Sequence, residues 1–157
     1  MNIKNIKVKD IMNKEIITVD IDTTITNASK IMTEKNIGFL PILNKGNLVG
    51  VLTDRDIINR IISKEKDIYA SVFLAMSTNI ISVKKNDDIS IAITKMADNQ
   101  IRRILVTNKK NELIGILSLA DIANHKETKD YLPELIYEIL LPEITDLFLV
   151  KNTEVSI

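Results

Sequence analysis

The 157-residue sequence contains no cysteine, no tryptophan, four glycines, three prolines and only 4% aromatic residues. The lack of cysteine excludes a disulfide framework, a thiolate metal site and a cysteine nucleophile. Because 21 basic residues balance 21 acidic ones, a general nucleic-acid binder is not expected. No apolar run approaches the about 20 residues of a membrane span, and residues 1–10 do not resemble a signal peptide, so we expect a cytoplasmic protein that does not contact a membrane.

Aliphatic residues are abundant instead. Hydrophobic residues make up 45% of the chain, and 29 residues are isoleucine. This composition excludes a disordered chain. A chain of this length buries about two-thirds of its unfolded surface, so it can fold without disulfide cross-links. The many β-branched side chains favour strands, or helices packed on a sheet.

The chain contains an internal repeat. When residues 11–44 are shifted by 64 positions and residues 46–57 by 65, 14 of 46 aligned pairs are identical, far more than chance would give. The protein is therefore two copies of one unit followed by an unrelated tail. We place repeat 1 at residues 1–65, repeat 2 at residues 66–126 and an amphipathic tail at residues 127–157.

Each repeat shows the same order of periodicities: strand, helix, strand, polar turn, strand, helix. The predicted spans are 15–19, 24–35, 37–43, 48–52 and a helix from Thr53 in repeat 1, and 79–83, 88–99, 101–107, 113–117 and a helix from Ser118 in repeat 2. The strands are apolar on both faces, so we expect them to be buried on both sides. The predicted fold class is α/β (α+β), with two βαββα repeats packed about a pseudo-two-fold axis.

The most specific local motif has seven residues, in the order Gly, two apolar residues, Thr or Ser, two variable residues and Asp. It occurs at residues 50–56 (GVLTDRD) and 115–121 (GILSLAD). A hydroxyl followed three residues later by a carboxylate forms a capping box, which stabilises a helix by about 1 kcal/mol. The same helix start can also bind a phosphate, with the aspartate accepting hydrogen bonds from a ribose. These two interpretations are compatible.

At these motifs the chain resembles a tandem pair of CBS (cystathionine-β-synthase-type) domains. The resemblance is carried by residues 8–12 (VKDIM), 37–42 (IGFLPI) and 48–57 (LVGVLTDRDI), and in the second copy by 101–106 (IRRILV) and 113–122 (LIGILSLADI). It covers about residues 8–123. It implies two clefts between the repeats that bind AMP, ADP, ATP or S-adenosylmethionine, and a homodimer of CBS pairs.

The resemblance also implies roles for individual residues. Asp56 and Asp121 would bind the ribose, and Thr53 and Ser118 would lie beside the phosphate. The adenine pockets would be lined by residues of the first two strands of each repeat, and the variable motif positions would adjoin the ligand. These residues are Thr18, Asp20, Gly38, Phe39 and Arg55 in repeat 1, and Ser82, Lys84, Arg102, Arg103, Leu119 and Ala120 in repeat 2.

The two copies differ at these positions, so we expect sites that are not equivalent. Arg102 and Arg103 stand where repeat 1 has Gly38 and Phe39. An arginine that points into a cleft could pair with phosphate, although which cleft it serves stays open; the alternative is a half-exposed strand whose arginine stems lie along the surface. Leu105 also replaces the proline that the family usually carries. Arg55 is either a ligand contact or an i,i+4 partner on its helix.

No catalytic or metal site is expected, and no catalytic cofactor is implied. His125 is the single histidine and lies in a polar stretch, and no Ser–His–Asp order, Walker loop or GxGxxG occurs. After Pro133 the tail shows helical spacing and would pack on its own core, exchange across a dimer or bind an effector protein. We therefore expect a non-enzymatic adenine-nucleotide energy sensor. The alternative is a structural oligomerisation module without a physiological nucleotide ligand.

Overall fold

The structure, a computed structural model, describes residues 6–128 and divides the chain into two compact units. One unit is Glu15–Ile80, and the other combines residues 6–14 with residues 81–128. The predicted helix after Pro133 lies outside the described residues. The elements are α1 (Val8–Ile11), β1 (Val19–Asp20), α2 (Ile25–Glu34), β2 (Phe39–Asn44), β3 (Asn47–Thr53), α3 (Asp54–Arg60), β4 (Ser82–Lys84), α4 (Ile89–Asp98), β5 (Arg103–Thr107), β6 (Leu113–Ser118), α5 (Leu119–Asn124) and two short 3-10 helices (Ile62–Lys64 and Val72–Leu74).

Each unit contains one three-stranded sheet, in the order β1-β2-β3 or β4-β5-β6. The first strand is parallel to the second, and the second and third form an antiparallel hairpin. The mixed α/β architecture and the repeated order of elements confirm the predicted fold class. The predicted burial of both strand faces is met in the second strand of each unit, because consecutive residues are buried at 40–42 in β2 and at 104–107 in β5. In the third strands it is met on one face only: in β3, Gly50 and Leu52 are buried while Val49 and Val51 are half-buried.

The long helices lie where the periodicity predicts them. The side chain of Thr24 caps α2 by accepting from the Asn27 N–H at 3.2 Å, and Ile25, Ala28 and Met32 are buried at helical spacing. In α4 the buried side chains are Ile89, Ala92, Ile93 and Met96. Both helices therefore have an apolar face that packs on their own sheet.

The first strands are shorter than predicted. Pairing with the second strand begins at Val19 in β1 and at Ser82 in β4, whereas the sequence predicts strands from residues 15 and 79. The hydrophobicity of the preceding residues does not by itself make a strand, because a strand also requires a neighbour for its backbone groups.

The segment that precedes each first strand belongs to the unit of the other repeat. Asn13 exchanges two backbone hydrogen bonds with Ile116 of β6, at 2.8 and 2.9 Å, and Lys7 forms an ion pair with Asp88 at 2.8 Å. In the same way Ser77 pairs with Val51 of β3 at 2.8 and 2.9 Å. The boundaries of the compact units therefore lie about 15 residues beyond the boundaries of the sequence repeats.

Candidate functional site

The end of β3 and the start of α3 form a complete capping box. The Thr53 N–H and the Thr53 hydroxyl both donate to Asp56 Oδ2, at 3.0 and 2.7 Å, and the Asp56 N–H donates to Thr53 Oγ1 at 3.1 Å. The junction of β6 and α5 repeats this arrangement. The Ser118 N–H and hydroxyl donate to Asp121 Oδ2 at 2.8 and 2.5 Å, and the Asp121 N–H donates to Ser118 Oγ at 3.1 Å.

These hydrogen bonds determine which donor protons and acceptor oxygens of the motif residues remain available to a ligand. A hydroxyl carries one proton, and in both repeats the carboxylate of the same motif already accepts it. Thr53 and Ser118 could therefore donate to a phosphate only after releasing their aspartates. One oxygen of each carboxylate caps the helix, so any ribose contact falls to the other oxygen, Oδ1.

That second oxygen has different surroundings in the two repeats. Asp56 Oδ1 lies 3.2 Å from Arg60, and the Asp56 side chain is only 17% exposed. The guanidinium also donates to the carbonyl oxygens of Ala75 and Met76 at 2.7 and 2.9 Å, and to Ser77 Oγ at 2.9 Å. Asp121 Oδ1 has no hydrogen-bond partner among residues 6–128. It therefore keeps both lone pairs for a diol.

Arg60 was not among the site residues predicted from the sequence, although two sequence features point to it. It follows Asp56 at the i,i+4 spacing that favours an ion pair on a helix, and repeat 2 has His125 at the matching position. His125 Nδ1 is buried without a hydrogen-bond partner in the described part of the chain. The arginine therefore links α3 to the segment at residues 75–77 in one repeat only.

Asp54 is a second residue that sequence reasoning overlooked. Its Oδ1 accepts from the Arg55 N–H at 2.7 Å, and its own N–H donates to the Gly38 carbonyl oxygen at 3.3 Å. A Cβ atom at Gly38 would lie 2.6 Å from Asp54 Oδ2. The Asp54 carboxylate therefore lies directly on Gly38. Phe39 is next to it, paired with Thr53 in the strand ladder.

The matching positions of repeat 2 hold basic and apolar residues. The Leu119 N–H donates to the Arg102 carbonyl oxygen at 2.9 Å, as Asp54 does to Gly38. Arg103 pairs with Ser118 in the ladder, and both arginine side chains are exposed. The Ala120 N–H has no acceptor in the described residues. In repeat 1 the Asp54 carboxylate accepts the bond from the matching N–H.

The structure does not bring Asp20 and Lys84 close to the capping boxes. Asp20 pairs with Leu43, and Lys84 pairs with Thr107. Each lies four residues along the neighbouring strand from the position that pairs with Thr53 or Ser118, or about 13 Å. The Lys84 ammonium also donates three hydrogen bonds, at 3.0, 2.9 and 2.7 Å, to the hairpin at residues 107–111. Its three protons are therefore already used.

Thr18 and Ser82 lie nearer the junctions, at the start of the first strands. Ser82 pairs with Leu105, two residues from Arg103, and its carbonyl oxygen accepts from Lys95 Nζ at 2.8 Å. Thr18 directly precedes β1, and both residues are half-buried. Of the predicted adenine-pocket residues, these two and the starts of β2 and β5 are closest to the motifs.

Residues 6–128 contain no group of three His, Asp or Glu side chains that could hold a metal ion. Within the same residues, no helix has both the length and the apolarity that crossing a bilayer would require.

Comparison with known proteins identifies the duplicated unit. The family model described as CBS domain matches the chain twice, at residues 8–63 and 66–127. The chain belongs to the CBS domain family. The CBS domain-containing protein YhcV of Bacillus subtilis is 38% identical over 116 residues, which are 74% of this chain and 82% of that protein.

Solved CBS proteins have the same fold. The conserved CBS domain protein TA0289 of Thermoplasma acidophilum matches with a TM-score of 0.77 and 30% identity, covering 89% of this chain and 77% of that one. The CBS domain pair of protein MJ0100, in complex with 5′-methylthioadenosine and S-adenosyl-L-methionine, matches with a TM-score of 0.69 and 29% identity, covering 75% and 93%. CBS domain pairs are generally regulatory, non-catalytic modules, although some form part of enzymes, such as the inosine-5′-monophosphate dehydrogenase of Methanocaldococcus jannaschii.

Proposed function

We propose that this chain is a non-enzymatic regulatory module that binds an adenosyl ligand at the strand–helix junction of each CBS repeat. The candidate ligands are AMP, ADP, ATP and S-adenosylmethionine, and occupancy is transmitted to a dimer or partner surface. The observation that carries the proposal is the duplicated junction, in which a Thr or Ser and an Asp meet at the end of a strand in both CBS repeats. The adenosyl ligands of the related MJ0100 pair support it.

Asp121 provides the clearest route to binding. Its Oδ2 already accepts two hydrogen bonds within the capping box, and its Oδ1 has two lone pairs to offer. The two hydroxyl groups of a ribose are two donors, so one carboxylate oxygen can accept both while the helix stays capped. Asp56 can do the same after sharing its Oδ1 with Arg60.

The test is calorimetric titration with AMP, ADP, ATP and S-adenosylmethionine, using Asp121→Asn and Asp56→Asn. An asparagine oxygen can still cap the helix, but its amide group presents protons to the ribose where the carboxylate presented lone pairs. We expect each substitution to weaken binding at its own site by about 10- to 100-fold, because hydrogen bonds to charged groups contribute about 1.5–3 kcal/mol.

Asp98→Asn is the matched control, because Asp98 is an exposed aspartate near the end of α4. It should leave the affinity unchanged. The proposal is wrong if none of the four compounds binds the wild-type protein, or if both motif substitutions leave the affinities intact.

For transmission, we propose a homodimer surface on the unit Glu15–Ile80. Among residues 6–128, six of the seven exposed large apolar side chains lie between residues 58 and 74, including Ile58, Ile62 and Phe73 at 58%, 54% and 58% exposure. Ile62 and Ile68 also line an apolar groove of about 460 Å³ beside α2. Exposed apolar clusters of this kind mark interaction surfaces.

Sedimentation velocity with Ile58→Asp tests this surface. We expect the substitution to shift a dimer to monomer, and we expect adenosyl ligand to change the association constant of the wild-type protein. Ile91→Asp is the matched control, since Ile91 is an exposed isoleucine on α4 at 42% exposure. Equal effects of both substitutions would contradict the assignment of the surface.

A structural oligomerisation module is the second candidate, and the completeness of both capping boxes favours it. In this case the aspartates only cap their helices, and a chain cut after Asp130 would lose its oligomeric state. The melting temperature of the full chain would then not respond to any adenosyl compound. A ligand-induced rise in melting temperature would exclude this candidate.

A further inference from the structure

The Arg60 guanidinium connects the capping-box carboxylate of repeat 1 with a separate segment of the same unit. Arg60 is the last residue of α3, and its Nη1 donates to the carbonyl oxygens of Ala75 and Met76 at 2.7 and 2.9 Å. Its Nη2 donates to Ser77 Oγ at 2.9 Å and lies 3.2 Å from Asp56 Oδ1. Because these two nitrogens carry four protons, the four protons face four acceptors, of which the carboxylate is one.

The segment that Arg60 holds, residues 75–77, adjoins the exposed apolar surface of this unit. At one end Ser77 pairs with Val51 of β3 through two backbone hydrogen bonds, at 2.8 and 2.9 Å. At the other end the segment follows directly on Phe73 and Leu74, which are 58% and 48% exposed. A change in the segment therefore reaches the surface on which we place the dimer contact.

A ribose at Asp56 would compete with Arg60 for a single oxygen atom. The Oδ2 atom of the carboxylate already accepts two hydrogen bonds within the capping box, so both ribose hydroxyls donate to Oδ1. That atom has two lone pairs, and two hydroxyl donors occupy both of them. The guanidinium then loses its carboxylate partner, which is the contact that orients it towards segment 75–77.

Repeat 2 has no equivalent connection. His125 stands where repeat 1 has Arg60, and its Nδ1 has no hydrogen-bond partner among residues 6–128. An imidazole has only two nitrogens, so His125 keeps one nitrogen for bonding. It cannot join Asp121 to another segment as the guanidinium joins Asp56 to residues 75–77.

We propose that Arg60 makes repeat 1 the transmitting site of this module, an inference that rests on the proposed function. An adenosyl ligand at Asp56 releases Arg60 from the carboxylate, loosens segment 75–77 and changes the adjoining apolar surface. A ligand at Asp121 binds without this effect. Because coupling between two equilibria is reciprocal, Arg60 also lowers the affinity of the repeat 1 site for a ribose.

Amide hydrogen exchange tests the transmission, measured without ligand and with saturating AMP or, in parallel, S-adenosylmethionine. We expect ligand to accelerate exchange of the Ser77 amide by about 2- to 5-fold, the effect of losing one partly exposed ion pair. Asp121→Asn should retain this response. Asp56→Asn and Arg60→Met, which break the same contact from its two ends, should abolish it.

Calorimetric titration with adenosine measures the reciprocal effect, because the 5′ group of adenosine is uncharged and does not respond to the loss of a positive charge. The titration uses the Asp121→Asn background, in which the other site is weakened. Adding Arg60→Met should raise the affinity by about 2- to 5-fold, whereas a purely structural arginine would leave it unchanged or lower. Lys64→Met, which removes an exposed positive charge of the same unit, is the matched control and should not alter it.

The outcomes separate this inference from the proposed function. Transmission through Arg60 is wrong, and adenosyl binding stands, if a ligand binds but leaves the exchange of segment 75–77 unchanged or accelerates it equally in Asp56→Asn. The same conclusion follows if Arg60→Met binds adenosine no more tightly. If adenosine, AMP and S-adenosylmethionine all fail to bind the wild-type protein, both proposals are overturned.

Discussion

Gly50 is the position where the smallest substitution should have the largest effect on stability. A Cβ atom there would lie 2.8 Å from the Ser77 carbonyl oxygen and 3.0 Å from Met76 Sδ. The Ser77 carbonyl oxygen cannot simply turn away, because it accepts the Val51 N–H at 2.9 Å while the Ser77 N–H donates back at 2.8 Å. Gly50→Ala must therefore displace the backbone segment that completes this unit.

The expected destabilisation follows from those contacts. Weakening two backbone hydrogen bonds costs about 1–3 kcal/mol, and overpacking adds a further cost of about 1–3 kcal/mol. Alanine also restricts the unfolded chain more than glycine does, and this effect offsets about 0.4–1 kcal/mol of the destabilisation. We expect the free energy of unfolding to fall by about 2–4 kcal/mol, which corresponds to a melting temperature lower by roughly 5–15 °C.

Gly115→Ala is the matched comparison in repeat 2. Its Cβ would meet Met12 Sδ at 2.7 Å and the Asn13 carbonyl oxygen at 3.1 Å. The flexible methionine can move, so we expect a cost of about 1 kcal/mol. Urea unfolding followed by circular dichroism measures both variants. A Gly50→Ala protein as stable as the wild type, or more stable than Gly115→Ala, would refute the reasoning.

Two further predictions concern side chains that hold loops in place. Arg60→Met removes the guanidinium bonds to residues 75–77 and should lower the free energy of unfolding by about 1–2 kcal/mol. Amide hydrogen exchange of residues 75–77 should accelerate, and unchanged exchange would show that the bonds do not hold the segment. Lys84→Met removes three hydrogen bonds to the hairpin at residues 107–111, where we expect a similar destabilisation and faster exchange. Lys85→Met, an exposed neighbour, should leave that exchange unaltered.

The local features of this protein could be read from its sequence. The limits of α2 and α4 follow from their apolar spacing, because a helix start depends on residues within one turn. Thr24 caps α2 with its side chain, whereas Asp88 makes no capping hydrogen bond and contributes negative charge at the start of α4. The capping boxes of Thr53 with Asp56 and of Ser118 with Asp121 were predicted for the same reason. The repeat itself, with its resemblance to CBS domains, also predicted the family.

Features that join distant parts of the chain were decided by the tertiary structure. Pairing of Asn13 with Ile116 assigns the N-terminal segment to the unit of repeat 2, although the sequence alignment places it in repeat 1. The position of Asp54 on Gly38 depends on the register of β2 against β3. A pattern of residues reports the preferences of a short segment, whereas these contacts depend on where separate segments meet in space.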